Sequence, residues 1–205
     1  MSCFLFDNLS VSRETIDRLE SYESLVKKWS KGINLISPAT QSSIWGRHIL
    51  DSAQLYTSLH QKSYVWVDLG SGAGFPGLVI SIIAKQHHPE LNVFLVESDK
   101  RKSAFLRTVV RELSLCATVV NDRIENANVP SADIISARAL TNLTGLLAYS
   151  YPHIRRDGVC LFQKGENWEK EVAEAEKKWS FDLKIITSKT RVGAVTLQLG
   201  DIRRG

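Results

Sequence analysis

Cysteine is scarce in this 205-residue chain: Cys3, Cys116 and Cys160 are an odd number, lie far apart and form no Cys-x-x-Cys pair. That excludes a disulfide framework or a zinc site built on them and leaves buried or incidental thiols. No metal is expected. The opening run Met1-Ser-Cys-Phe-Leu-Phe-Asp7 has no basic n-region and too short an apolar stretch for a signal peptide. No segment approaches the length of a membrane span, so a cytoplasmic protein without membrane contact is expected. An excess of one charge is lacking too: 26 basic against 22 acidic residues leave +4, which permits an anionic partner without requiring one. Internal repeats and low-complexity linkers are also missing. What is present is apolar, at 43% hydrophobic and 23% charged with five Trp, so a full core in one decorated domain follows.

The first sixty residues read as helical. Ile16, Leu19, Tyr22, Leu25, Val26 and Trp29 form one stripe, Ser12 caps its start, and Lys27, Lys28 and Lys31 precede Gly32 at its end. A loop through Asn34 leads to a second helical stretch from about 41 to 59. From Tyr64 the pattern alternates. Strands are expected at 64–68, 92–97, 117–121, 132–136 and 158–163, with helices near 76–86, 100–114 and 141–153 between them. After a helix near 166–179, the runs 181–187 and 194–199 are separated only by a loop, which suits an antiparallel pair. The expected architecture is α/β, a mostly parallel Rossmann-like sheet ending in an antiparallel hairpin, the class I methyltransferase shape. Residues 1–62 form a helical extension packed on a core of residues 63–205.

The run Asp68-Leu-Gly70-Ser-Gly72-Ala-Gly74-Phe75-Pro76-Gly77 carries the most chemistry. An apolar strand stops at an acid, four glycines follow within eight positions, and an apolar helix opens. Strand, glycine turn and helix in that order build a cradle for a nucleotide-like ligand. The loop satisfies G-x-G-x-x-G at Gly72, Gly74 and Gly77, with Glu97 placed for ribose hydroxyls, as a nicotinamide fold requires. It equally satisfies the methyltransferase pattern Asp68-x-Gly70-x-Gly72-x-Gly74. A P-loop is excluded, because no Gly-Lys-Ser/Thr follows. Asp68 favours the methyl donor, since a carboxylate there repels pyrophosphate and attracts a sulfonium or amino group. S-adenosylmethionine is such a cation.

Several segments together resemble one family: Trp29-Ser-Lys-Gly-Ile-Asn34-Leu, Arg47-His48-Ile-Leu-Asp51-Ser52, the glycine loop ending in Pro76-Gly77, Asp122-Arg-Ile124-Glu125, Ile135-Ser136-Ala-Arg138-Ala139 and Lys164-Gly165. The chain is similar, from about residue 20 to 200, to the bacterial 16S ribosomal RNA guanine-N7 methyltransferases, also called glucose-inhibited division protein B. The resemblance implies transfer of a methyl group from S-adenosylmethionine to N7 of a guanine in 16S rRNA, guanosine 527 of the decoding-region loop. It implies a cofactor site of Gly70, Phe75, Ile124, Glu125 and Arg138, to which the residue-level reading adds Asp68, Gly72, Gly74 and Glu97. The expected partner is 16S rRNA or the small ribosomal subunit, and a monomer is expected. Alternatives at this point are a methyltransferase of another RNA or protein, an NAD-binding oxidoreductase, and a non-catalytic ribosome-assembly factor.

Guanine N7 has a free lone pair at neutral pH, so no base must remove a proton before attack. Catalysis should then rest on positioning and electrostatics, with Arg138 and Asn34 as the candidate positioning residues and no general base. The Asn-Pro-Pro-Tyr type of motif is missing after the fourth strand, and no cysteine sits beside a proline, which disfavours amino-group and cytosine-C5 acceptors. Arg138 beside a sulfonium needs an anion, which the donor carboxylate, Asp68 or an RNA phosphate would supply. His48 and Asp51, three apart on a helix, are expected either to pair or to anchor that helix against the sheet. Lys164, Arg191 and His48 are candidate RNA contacts, with solvated surface charge as the plain alternative for the first two. Phe75 and Trp45 are candidates to stack on a presented base.

Overall fold

Parallel strands buried on both faces are apolar almost throughout, and Val65–Leu69, in which only Asp68 is polar, shows why two layers of helix are needed. In a computed structural model of the chain, which describes residues 2–6, 9–59 and 63–205, Trp66 faces one core and Val67 and Leu69 face another. The strands are β1 (Ser2–Phe6), β2 (Leu9–Ser12), β3 (Val65–Leu69), β4 (Asn92–Val96), β5 (Ala117–Val120), β6 (Ala132–Arg138), β7 (Ile154–Lys164), β8 (Trp179–Thr187) and β9 (Val195–Arg204). The main helices are α1 (Arg13–Trp29), α2 (Gly77–His87), α3 (Lys100–Glu112), α4 (Leu143–Ser150) and α5 (Trp168–Ala175).

Seven strands form one sheet in the order β5-β4-β3-β6-β7-β9-β8, parallel through β7 and antiparallel at β9 and β8. The expected strands and the closing hairpin are all present. Side chains of α1, α2 and α3 fill one face, and those of α4 and α5 fill the other. The chain runs outward from β3 to β5 and then returns to lay β6 on the other side of β3. Strand order therefore reverses between β3 and β6, where open α/β sheets bind ligands at the carboxyl ends. Among the described residues no helix is long and apolar enough to cross a membrane.

Two segments differ from expectation. Ahead of α1, β1 and β2 form a short antiparallel pair where only helix was expected, and Ser12 ends it and caps α1 by accepting from the Thr15 amide at 3.2 Å. The helix expected over 41–59 is broken into a 3₁₀ turn at Pro38–Ser43, a π turn at Trp45–Leu50, one α turn and a second 3₁₀ turn at Gln54–Ser58. Side chains are bound to the carbonyls that a regular helix would use. Ser52 Oγ donates to the His48 carbonyl at 2.6 Å, and both Gln54 and Gln163 donate to the Asp51 carbonyl at 2.9 Å.

Candidate active site

The glycine loop leaves β3 with Gly70, Gly72 and Gly74 at φ of 65°, 56° and 93°, a region where an L side chain is strained. A Cβ on Gly74 would lie 2.3 Å from Leu78 Cδ1, so that position is closed by packing. At Gly72 only the Gly70 carbonyl is near, at 3.8 Å, so this part of the loop leaves its backbone open. Glu97, at the end of β4, holds the loop through Gly72 N–H to Oε2 at 2.8 Å, while its Oε1 accepts from the Asp99 amide at 2.8 Å. Each oxygen keeps a further lone pair.

Asp68 is not placed as expected. It has no exposure and does not line the cleft beside the loop; it sits beneath. Its Oδ1 accepts from Ser136 Oγ at 2.6 Å and its Oδ2 from the Gly77 amide at 3.3 Å, while Ser136 in turn accepts from Trp66 Nε1 at 2.8 Å. Burial pushes the Asp68 carboxyl up to about 6, against the pull of these hydrogen bonds. Asp68 therefore shapes the loop from below and is not exposed to a ligand.

The cleft itself, about 390 Å³, is lined by Gly70, Gly72, Phe75 and Glu97 on one side and by Ile124, Glu125 and Arg138 on the other. Those seven expected residues are thus brought together. Gly74 and Asn34 do not line it. Asn34 is exposed, and its neighbour Leu35 reaches the cleft instead. Lys102, Arg123 and Leu140 also contribute. Arg123 lies within the Asp122-Arg-Ile124-Glu125 motif although no site role was expected of it, and no motif pointed to Lys102 or Leu140.

Phe75 links this cleft to the N-terminal helices. Its ring lies 5.2 Å from Tyr22, 5.0 Å from His48 in a stacked arrangement, and 5.0 Å from the Arg138 guanidinium carbon. Tyr22 donates to the Ala73 carbonyl at 2.6 Å, so α1 grips the glycine loop directly. The helical stripe announced Tyr22 as core, but periodicity carried no sign of this hydroxyl's role. Burial, then Arg138 and Arg47, lower the His48 pKa to about 4, so its ring is neutral near pH 7.

A second cleft, about 420 Å³, opens on the other side of Arg138 and Ala139, which line both. Asp51 is its hub. Oδ1 accepts from Thr190 Oγ1 at 2.7 Å and Gln54 Nε2 at 2.8 Å; Oδ2 accepts from Gln163 Nε2 at 2.7 Å and lies 3.8 Å from Arg138 Nη1. Of the two expectations for His48 and Asp51, the mutual pair does not form; Asp51 instead anchors its turn against the sheet through Gln163 of β7. Asp51 itself, rather than Asp68, is the carboxylate that approaches Arg138 most closely. Lys164 lines this cleft but is held by Glu171 at 2.7 Å and the Thr141 carbonyl at 2.8 Å, with its side chain 8% exposed. Arg191 lines it with an exposed side chain. Trp45 packs against the first core and lines neither cleft. Cys160 is buried in the second core, and Cys116 is exposed just ahead of β5, at the opposite edge from the clefts.

Known proteins fit this arrangement. The model of the family described as "GidB: rRNA small subunit methyltransferase G" matches residues 15–198. A protein of Ruegeria pomeroyi named ribosomal RNA small subunit methyltransferase G is 46% identical over 198 residues, covering 97% of each chain. One of Cereibacter sphaeroides with the same name is 49% identical over 191 residues, covering 93% of each. Among solved structures, a SAM-dependent methyltransferase from Aquifex aeolicus superposes with a TM-score of 0.61 at 13% identity, over 86% of this chain and 97% of that one. TYW2 of M. jannaschii in complex with AdoMet gives 0.57 at 14% identity, over 77% and 76%. At such identities these two share the fold alone. The relatives' identity and the family match over nearly the whole chain decide the matter: the chain belongs to the GidB family, rRNA small subunit methyltransferase G.

Proposed function

We propose that this protein transfers a methyl group from S-adenosylmethionine to N7 of a guanine in 16S ribosomal RNA, guanosine 527 of the decoding-region loop. Family membership supports the coarser statement, an S-adenosylmethionine-dependent methyltransferase of small-subunit rRNA. The observation that carries the finer reading is that two clefts of similar size meet at Arg138 and Ala139. A donor in one and a base in the other would react at that junction.

The residues of the first cleft fit an adenosyl donor. Gly72 leaves its backbone open, Glu97 retains acceptor capacity for ribose hydroxyls, and Ile124 offers an apolar wall for adenine. When bound, S-adenosylmethionine supplies the methyl group as an electrophile on a sulfonium sulfur. The protein's own contribution is positioning. Tyr22 and His48 brace Phe75, Phe75 carries the Arg138 guanidinium, and Asp51 holds the same guanidinium from the acceptor side. Arg138 is then presented to an anion, either the donor's carboxylate or an RNA phosphate. An N7 acceptor asks for no proton removal, and His48, neutral and stacked, serves as wall rather than as acid. Arg191, exposed at the rim, supports a contact to the RNA backbone.

The test is labelled-methyl transfer to small ribosomal subunits and to naked 16S RNA lacking the modification, followed by nucleoside mass spectrometry. The proposal expects 7-methylguanosine as the labelled product. Label in another nucleoside, or none on either substrate, would refute it. Titration with S-adenosylhomocysteine and with NADH should show affinity only for the former.

A further inference from the structure

Three of the six buried side-chain nitrogen and oxygen atoms without a partner among the described residues belong to two residues that line the second cleft. Gln163 Oε1 and both ring nitrogens of His48 are buried and make no hydrogen bond among the described residues, and both residues line that cleft. A buried polar atom left unpaired is costly, so such atoms mark a place where a ligand completes the bonding.

The orientation of Gln163 is chemically fixed. One end of its amide meets two acceptors, the Asp51 carbonyl at 2.9 Å and Asp51 Oδ2 at 2.7 Å. Only the NH₂ group satisfies both, so the free atom is an oxygen, an acceptor. Asp51 is held in turn by Thr190 and Gln54, which keeps this acceptor in place. We infer that Gln163 is the residue that selects guanine, its Oε1 accepting from the N1–H or 2-amino group of the acceptor base; this rests on the guanine reading proposed above.

The chemistry of the bases supports the assignment. N7 lies across the purine from the N1 and C2 edge. A base that turns N7 toward the junction at Arg138 sends its other edge into the second cleft. Guanine carries donors there, N1–H and the 2-amino group, whereas adenine carries a bare N1 and a C–H. A fixed acceptor welcomes the first and leaves itself unpaired against the second. Attack by N7 also makes the base cationic, which strengthens its N1–H and 2-amino groups as donors. The bond to Gln163 therefore tightens as the methyl group transfers, and Asp51 behind it adds a negative field. One nitrogen of neutral His48 carries a hydrogen, the type of donor that O6 requires.

The test uses 16S RNA carrying guanosine, inosine or 2-aminopurine at the target position, and compares kcat/KM for methyl transfer by the wild type and by Gln163→Met. Inosine lacks the 2-amino group, and 2-aminopurine lacks N1–H. The wild type should prefer guanosine over at least one of them by about tenfold to a hundredfold. Gln163→Met should lose that preference by falling on guanosine and on an analogue that keeps the bonded donor, but not on the analogue that lacks it. Equal transfer to all three bases by the wild type overturns the assignment without recourse to any variant. So does a Gln163→Met enzyme that keeps its preference, whether its activity is unchanged or lowered equally on every base. Affinity for S-adenosylhomocysteine, measured on both proteins, checks that the donor cleft is intact. A wild type that methylates no guanine would instead remove the proposed function, and this inference with it.

Discussion

Replacing Ser136 by Ala removes one hydroxyl and orphans two buried groups. Trp66 Nε1 loses its acceptor at 2.8 Å, and Asp68 Oδ1 loses its donor at 2.6 Å, both at positions without exposure. Each group left unpaired costs about 1–3 kcal/mol, so the variant should lose ~2–6 kcal/mol, a large part of the ~5–15 kcal/mol that holds a typical domain. With a urea slope of ~2 kcal/mol/M, the unfolding midpoint should fall by roughly 1–3 M. The loss should also depend on pH. Asp68 stands at about 6 in the fold against 3.8 ordinarily, so its contribution to stability is complete below that lower value and is lost as pH rises through 6. The Ser136 bond pulls the folded value down, so without it the proton binds at still higher pH. The gap between wild type and variant should thus be widest near pH 8 and narrower near pH 5, where Asp68 is mostly protonated in both. A midpoint within about 0.3 M of wild type at pH 8, or a gap that grows on acidification, would refute the reasoning.

Tyr22→Phe leaves the buried Ala73 carbonyl without its donor and should cost about 1–3 kcal/mol in urea unfolding while weakening S-adenosylhomocysteine binding; unchanged affinity would mean that α1 does not tune the loop. Gly74→Ala places a Cβ 2.3 Å from Leu78 Cδ1 at a φ of 93° and should cost about 2–5 kcal/mol, whereas Gly165→Ala, with nothing within 4 Å, should stay within about 0.5 kcal/mol; equal effects would contradict the packing of the loop. Arg191→Met should weaken RNA binding and lower the slope of log affinity against log salt by about 1. Lys164→Met should leave that slope alone and lower stability instead, because Lys164 is already bound to Glu171 and the Thr141 carbonyl.

The sheet was legible because its strands are apolar runs bounded by polar residues and its helices carry clear stripes and caps. Ser12 at the head of α1 is a case where one residue type at one position decided the start of an element. The broken helix at Pro38–Ser58 was not legible. Its apolar spacing is helical, and its carbonyls are diverted by the local side chains of Ser52 and Gln54 and by Gln163 of β7, 112 residues beyond Asp51. Asp68 was misread for a reason the sequence does contain. Side chains alternate along a strand, so Asp68 shares the face of Trp66, and its register partner on β6 is Ser136. Alternation along an apolar strand thus pointed beneath the loop rather than into the cleft. Lys164, expected as an RNA contact, has its partner seven residues on, at Glu171 in the first turn of the next helix. The second cleft was legible only in pieces: the Arg47-His48-Ile-Leu-Asp51-Ser52, Arg138-Ala139 and Lys164-Gly165 motifs each supply part of a wall, but its walls come from four separate segments that no spacing in the chain joins.

Single-turnover methyl transfer by Arg138→Ala is the most direct test of the claim that the two clefts meet as donor and acceptor sites at this residue. The Arg138 side chain is only 19% exposed, but Thr190, Gln54 and Gln163 continue to bind Asp51 without it, so its removal should lower the urea midpoint modestly and leave the fold intact. Transfer to 16S rRNA should nevertheless fall by a factor of about 100 or more. A variant that folds normally and transfers methyl at the wild-type rate would contradict the account.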